Sequence, residues 1–433
     1  MDMINQPIFN IGMLGSVSDG KSTTVYSMTG TKTQRHSNEM KRNITIKPGY
    51  ANMKIYKNND TYNTKEGELV HHVSFIDCPG HYQLIVTMMS CIKLMDGIIL
   101  VVSAAEPIDK KPQLIQHIMA IKMSGIKNVI VLLNKLDLVK KSIAIERFEK
   151  LKELLNKYDI EPKIIIPVCM NHMIGVDLVL QNIMIHMSPN IKRENIKPLF
   201  MISRSFDINK VNINMMDITG GVIGGSLISG SLKVGDEIEI APGKIGKNAD
   251  GTINHKPHYT TILSLKSDIT ELDSIVSGGL IGIGTDIDPF YCKNDNMIGM
   301  IAGLKGTLPH VYYDINIKYN TIKFDEDKFW VTYNNQNLIV IVGTNSIEGV
   351  IKSFDDKIIK LQLSKPACID NDDIIILCDK KFNSSEGESF NIVAYGYLST
   401  DEPTNDENHS DVEDPFENTN NNINIDDINI DDI

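Results

Sequence analysis

The sequence predicts an α/β domain followed by two small β-barrel domains and a disordered acidic tail. Residues 8–190 alternate short apolar runs with segments of helical length, the pattern of a sheet covered by helices on both faces. From Leu199 onward glycine recurs, apolar and polar residues alternate between turn signals, and helical periodicity disappears, as in small barrels. Beyond Thr400 the chain is largely Asn, Asp and Glu, a composition that cannot bury enough apolar surface to offset chain entropy. The expected boundaries are 1–195, 199–312, 313–398 and 399–433.

Within the first domain, Phe9–Leu14, Val73–Ile76, Gly97–Val102, Val129–Leu133 and Ile164–Val168 are rich in Ile, Val and Leu and read as buried parallel strands. Ser142–Lys157, with its charged face, reads as a helix between two of them. The stretch GGVIGGSLISGSLKVGDEIEI reads as hairpins of the second domain. A break near Pro309–Asp314 opens the third, whose strands are LIVIVG, GVIKSF, KIIKLQL and DIIILC. The INIDDINIDDI ending is a low-complexity repeat, read as an inert tail.

A length of 433 residues fits about three domains, and 42% hydrophobic with 23% charged residues is ordinary for a globular protein. Lys and Arg total 43 and Asp and Glu 55, for a net charge of −12. Residues 401–433 hold twelve of the acidic residues and no Lys or Arg, so the remainder carries 43 charges of each sign. A neutral body excludes coating of nucleic acid by bulk positive charge, while leaving room for a local phosphate site. The six cysteines are scattered without a C-x-x-C pair and read as buried thiols in a reducing compartment. The first residues lack the pattern of a signal peptide, and no apolar run approaches the ~18–20 residues that span a bilayer. A cytoplasmic protein with no membrane partner is expected.

Directly after the first strand stands Gly15-Ser-Val-Ser-Asp-Gly20-Lys21-Ser22, a full G-x-x-x-x-G-K-[ST]. Its glycines let backbone N–H groups wrap phosphates, Lys21 supplies a point charge to the β- and γ-phosphates, and the Ser22 hydroxyl can ligate Mg²⁺. Asp77-Cys78-Pro79-Gly80-His81 ends the second strand, where a carboxylate can hold Mg²⁺ through water and the Gly80 N–H can face a γ-phosphate. Asn134-Lys135-Leu136-Asp137 ends a later strand; an acidic side chain there pairs with the N1 and N2 donors of guanine, which adenine lacks. Thr45, between the first two motifs, sits where a mobile loop can bring a hydroxyl to Mg²⁺. Four such elements in order, each at the carboxyl edge of the sheet, point to GTP or GDP with Mg²⁺. The expected metal ligands are Ser22, Thr45 and Asp77. The expected nucleotide contacts are Ser18, Asp19, Gly20, Lys21, Ser22, Thr23, Gly80, Asn134, Lys135 and Asp137.

A domain of this kind with D-C-P-G-H, followed by two β domains, resembles the translational GTPases related to elongation factor Tu. More narrowly, NEMKRNITIKPGYANMKIYK (38–57), HHVSFIDCPGH (71–81), LLNKLDLV (132–139), RSFDIN (204–209) and GGLIGIGTDIDP (278–289) resemble the gamma subunit of eukaryotic and archaeal translation initiation factor 2. The resemblance implies a GTPase that carries initiator methionyl-tRNA to the small ribosomal subunit, in a heterotrimer with alpha and beta subunits. It implies that His81 positions the attacking water, with Val17 and Ile44 as an apolar gate, and that Cys169-Met170 back the guanine base.

Several positions depart from the family. It carries His where Ser16 and Asp19 stand; a carboxylate near a polyphosphate is unfavourable unless it points outward or toward a cation, and Asp19 is expected to be tolerated with some loss of nucleotide affinity. Cys169-Met170 replace a Ser-Ala pair, a swap that backbone contacts to guanine tolerate. Lys57–Leu69 reads as a short polar loop without the cysteine knuckle of many relatives, so no zinc is expected. No arginine follows Arg204, Asp286 and Asn296 stand where relatives are basic, and 380–390 replaces a basic, Trp-containing stretch, all of which reduces phosphate contacts. With no arginine finger evident in cis, slow turnover is expected unless a GTPase-activating protein assists. The alternative that this depletion suggests is a gamma-like binding module that engages partners without delivering tRNA.

Overall fold

In the computed structural model the described residues are 5–34, 39, 45–59, 61–108, 111–187, 196–210, 214, 218–248, 252–322, 330–380 and 391–401. Ile44, most of 380–390 and the tail beyond 401 lie outside them.

The first unit is a seven-stranded sheet of β1 (Phe9–Leu14), β2 (Gly49–Asn58), β3 (Thr61–Asn63), β4 (Glu68–Asp77), β5 (Gly97–Ser103), β6 (Val129–Asn134) and β7 (Ile164–Pro167). Its order is β3-β2-β4-β1-β5-β6-β7, with β4, β1, β5, β6 and β7 parallel. The parallel strands are buried on both faces, hence their unbroken apolar runs. Ile99 and Val101 of β5 point to the face packed with α1 (Lys21–Thr29) and α5 (Val176–His186). Ile98, Leu100 and Val102 point to the other, covered by a short helix α2 (Ile85–Met89), α3 (Pro112–Ser124) and α4 (Lys141–Lys157).

One feature of this sheet goes beyond the sequence expectation and one corrects it. The sheet is mixed, because β2 runs antiparallel to β4 along Gly49–Lys57. Its alternation of buried and half-buried positions marks a strand with one covered face, next to the short edge strand β3. The span Lys57–Leu69 is not merely a polar loop: it completes β2, forms β3 and opens β4, pairing Tyr56 with Asn63 and Lys57 with Tyr62.

The second unit comprises β8 (Leu199–Phe206), β9 (Val222–Ser229), β10 (Ser231–Lys233), β11 (Glu237–Lys247), β12 (Ile253–Ser267), β13 (Thr270–Leu272), β14 (Ser274–Val276), β15 (Ile281–Thr285) and β16 (Ile301–Leu304). Six of these close into a barrel, β11-β16-β8-β9-β15-β12, through the β11–β12 pairing. The third is a closed six-stranded barrel of β17 (Val311–Thr321), β18 (Asn337–Val342), β19 (Asn345–Phe354), β20 (Ile358–Cys368), β21 (Ile375–Asp379) and β22 (Asn391–Leu398). All six cysteines are free, five of them buried.

The three units share packing. The core beneath α2 and α3 runs on into Met201 and Ile301 of the second unit and Ile341, Ile376 and Ile392 of the third. A polar seam accompanies it. Buried Gln6 donates to the Val276 and Gly278 carbonyls (2.7 and 3.0 Å) and accepts from Val276 N–H (3.1 Å). The double glycine of GGLIGIGTDIDP follows from this contact. Gly278 and Gly279 have φ of 101° and 72°, and a Cβ on them would meet the Ile8 and Pro7 carbonyl oxygens at 2.5 and 2.4 Å.

Gln6→Ala removes three hydrogen bonds from a buried seam and leaves backbone groups unpaired. It is expected to lower the unfolding free energy by about 2–3 kcal/mol, measured by urea denaturation.

Candidate functional site

The sheet delivers the phosphate loop from the end of β1. Gly20 takes a φ of 101°, where a side chain is strained, and a Cβ there would lie 2.4 Å from Asn134 Nδ2 and displace it. α1 then starts at Lys21 with no side-chain cap, leaving its first-turn N–H groups for an anion. A cavity of about 170 Å³ opens there. Of the residues expected from the sequence, Val17, Ser18, Gly20, Lys21, Ser22, Thr23, Thr45, Gly80, His81 and Lys135 line it; Gln34, which was not expected, does too. Gly80 touches the loop so closely that a Cβ would sit 2.2 Å from Lys21 Nζ. Lys21 donates to the Gly15 and Ser16 carbonyls (2.8 and 3.0 Å). Burial pushes its ammonium below the ordinary lysine range, against the pull of Asp77 and Asp19.

The three residues expected to hold Mg²⁺ converge. Ser22 and Thr45 hydroxyls lie 3.2 Å apart and both face Asp77. Asp77 is fully buried; Oδ2 accepts the Thr33 hydroxyl at 2.5 Å, while Oδ1 meets no hydrogen-bond partner among the described residues. Burial raises its pKa, opposed by the Thr33 and Ser22 hydroxyls and by Lys21. An orphaned carboxylate oxygen beside two hydroxyls is a hard oxygen donor set, and it fits Mg²⁺.

At the far end of the loop, Asn134 ties two motifs together. Its Nδ2 donates to the Asp19 carbonyl (3.0 Å) and its Oδ1 accepts from Met170 N–H (3.1 Å). Cys169 Sγ donates to Asp137 Oδ1 at 2.8 Å, which holds that carboxyl below its usual range. His172 approaches Asp137 Oδ2 at 3.7 Å, so the ligand atoms of Asp137, Cys169 and His172 lie within 4.8 Å of one another. His81 Nδ1 accepts from Gln83 N–H (3.3 Å), and burial keeps its ring below the ordinary histidine range. Ile44, the other half of the expected gate, lies outside the described residues.

Asp19 takes the cation-facing orientation. Its side chain does not face the phosphate cavity: it turns behind the loop onto Lys111 Nζ at 2.5 Å. A carboxylate there has a cation partner within the fold. Lys111, Thr33 and His117 were not singled out by motif reading. Only the isolated acid at position 19 signalled that a cation should lie near it.

The fold and the site together define a guanine-nucleotide-binding domain mounted on two β-barrels, the architecture of translational GTPases. Residues 6–189 match the family "Elongation factor Tu GTP binding domain" and residues 322–384 match "Initiation factor eIF2 gamma, C terminal". The chain is 36% identical over 406 residues to eukaryotic translation initiation factor 2 subunit 3 of Drosophila melanogaster, covering 86% of this chain and 85% of that protein. It is 38% identical over 405 residues to translation initiation factor 2 subunit gamma of Methanocaldococcus jannaschii, covering 90% and 97%. Among solved structures, bacterial selenocysteine-specific elongation factor aligns with a TM-score of 0.70 at 23% identity; 90% of this chain spans 58% of that one. Elongation factor SelB of Methanococcus maripaludis, solved with a GTP analogue, aligns at 0.69 and 18% identity over 92% of this chain and 80% of that one. These two likenesses show the fold. The chain belongs to the gamma-subunit family of translation initiation factor 2, and it is a GTPase.

His117 of α3 is fully buried, with its ring hydrogen-bonded to the Gly80 backbone, and burial pushes its pKa down to about 3. The unfolded ring takes a proton below about 6.5 and the native ring does not, so stability falls as pH drops through the interval from 6.5 to 3. At pH 5 this amounts to about 2 kcal/mol. His117→Gln is expected to remove that share of the acid slope, seen as a smaller stability difference between pH 7.5 and 5 in urea unfolding.

Proposed function

We propose that this GTPase carries initiator methionyl-tRNA to the small ribosomal subunit in a complex with alpha and beta subunits, and releases it after hydrolysis. The supporting observation is the short path from the nucleotide to the second barrel. Thr45 faces the phosphate cavity, and two residues on Lys47 bridges to Asp295 at 3.2 Å. Tyr50, in the strand that follows, sets its hydroxyl 3.4 Å from Ser203 Oγ. A segment that responds to γ-phosphate is thus joined to the wall against which an aminoacyl acceptor end would lodge.

In this reading Lys21 and the loop N–H groups bind the polyphosphate, while Asp137 accepts from guanine N1 and N2 with Cys169 and Met170 backing the base. Ser22, Thr45 and Asp77 would hold Mg²⁺, which neutralises β- and γ-phosphate oxygens. His81, neutral and accepting at Nδ1, orients water rather than abstracting its proton, and Val17 screens that side. Among the described residues no arginine lines the cavity, so intrinsic hydrolysis is slow and a GTPase-activating protein is a partner. Among the described residues no helix is long and apolar enough to cross a membrane; we place the protein in the cytoplasm with the ribosome.

Filter binding with charged initiator and elongator tRNA, each with GTP and with GDP, tests this function. Retention of initiator tRNA with GTP alone is expected, and equal retention in all four arms would sink the proposal. Asp137→Asn should move preference from GTP toward xanthosine triphosphate, read by competition binding. His81→Ala should leave GTP affinity nearly intact and slow hydrolysis by roughly 10²–10⁴-fold in single turnover.

A further inference from the structure

Asp19 is the best-connected side chain of the phosphate loop. Its Oδ1 accepts from Lys111 Nζ (2.5 Å) and Ser103 N–H (3.0 Å), and its Oδ2 accepts from Ser16 N–H (2.9 Å). The side chains of Asp19 and Lys111 are only 2% and 4% exposed. Lys111 Nζ also donates to the Ser103 carbonyl at 3.3 Å, and the exposed Glu106 carboxylate lies 3.8 Å away at the rim. One carboxylate therefore joins the phosphate loop, the end of β5 and the residue that caps α3. Through its own carbonyl, Asp19 also reaches Asn134.

A buried carboxylate one residue from Gly20-Lys21 would repel a polyphosphate, because low-dielectric surroundings screen charge poorly. Its hydrogen bonds to Ser16 and Ser103 shape the loop but carry no net positive charge; Lys111 does.

We propose that Lys111 is a positioning residue of the nucleotide site, the built-in counter-ion that lets Asp19 brace the phosphate loop without opposing the nucleotide's charge. This rests on the loop being the GTP phosphate cradle. The effect is graded by ligand charge: without Lys111, GTP suffers more than GDP, and GDP more than GMP. A role confined to loop shape would weaken all three alike.

The test uses the nucleotide-stripped full chain at fixed salt and Mg²⁺, with affinities for GTP, GDP and GMP measured by competition against a fluorescent guanine nucleotide. Lys111→Gln is expected to weaken GTP binding by roughly 10–30-fold and GDP by several-fold less. Lys111→Arg should stay near wild type. The neutral pair Asp19→Asn/Lys111→Gln should restore the wild-type ratio of GTP to GDP affinity. Asp19→Asn alone leaves the cation in place and should shift that ratio toward GTP, so the proposal is decided even if Lys111→Gln does not fold. Equal losses for all three ligands, or a ratio that none of the variants moves, would overturn it. Wild-type protein that binds no guanine nucleotide would instead overturn the reading of the loop.

Discussion

Asp19, Lys21, Asp77 and Lys111 are all buried within one cluster at the carboxyl edge of the parallel sheet, and the nucleotide site depends on their mutual charge balance. Burying an isolated charge costs several kcal/mol, so none of the four could occupy its place alone. Lys21 feels both carboxylates and, with the opposite sign, Lys111. The cluster is neutral as it stands, and a triphosphate adds negative charge to it. That addition is favourable because Lys21 is held against loop carbonyls that polyphosphate oxygens can replace, and because the α1 N-terminus offers unpaired donors. The orphaned Asp77 oxygen leaves one acceptor for a cation to arrive with the nucleotide.

The same cluster reaches into the rest of the molecule. Lys111 caps α3, whose Gln116 lies 3.4 Å from Asn391 of the third unit, and whose His117 grips the Gly80 backbone. Thr45 leads along the chain to Lys47 and so to Asp295, which also takes Arg204 at 2.9 Å and the Ser205 N–H at 3.0 Å. On the proposed reading, a change at the γ-phosphate position would meet the third unit through one arm and the second barrel through the other. Both arms cross interfaces whose apolar core is continuous with that of the first domain. Such packed junctions favour rearrangement between discrete arrangements over gradual deformation.

What could be read from the sequence divides along contact range. The phosphate loop, D-C-P-G-H and N-K-L-D were legible because each is a contiguous run whose glycines, charges and strand context appear together. The alternation of strand and helix gave the α/β domain, and the glycine-rich alternation gave the barrels as a class. Lys111 and Thr33 were not legible: they meet Asp19 and Asp77 across 92 and 44 residues, and nothing local marks either. Asp19 could be flagged as anomalous but not oriented, since its direction depends on a partner beyond β5. The β2–β3 hairpin was missed because strands covered on one face carry half the apolar signal of strands buried on both. Barrel strand order, with β8 between β9 and β16, follows from long-range pairing that alternation cannot encode.

The electrostatics of the two barrels set a condition on the proposed tRNA binding. Arg204 is the last arginine of the chain, and it is committed to Asp295 while stacking 5.0 Å from the Phe206 ring. Asp286, exposed where relatives carry a basic residue, accepts from the Thr260 hydroxyl and the Thr261 N–H. Phosphate contacts from these units must then come from lysines. A body without net positive charge offers fewer uncompensated cations to phosphate, so RNA affinity would depend less steeply on salt than in a strongly basic binder. On the proposed reading, discrimination would have to come from the second barrel near the Tyr50–Ser203 contact, where the nucleotide arm ends. On that reading a nucleotide-gated grip would be the larger part of tRNA affinity, and release would follow the change at the phosphate loop.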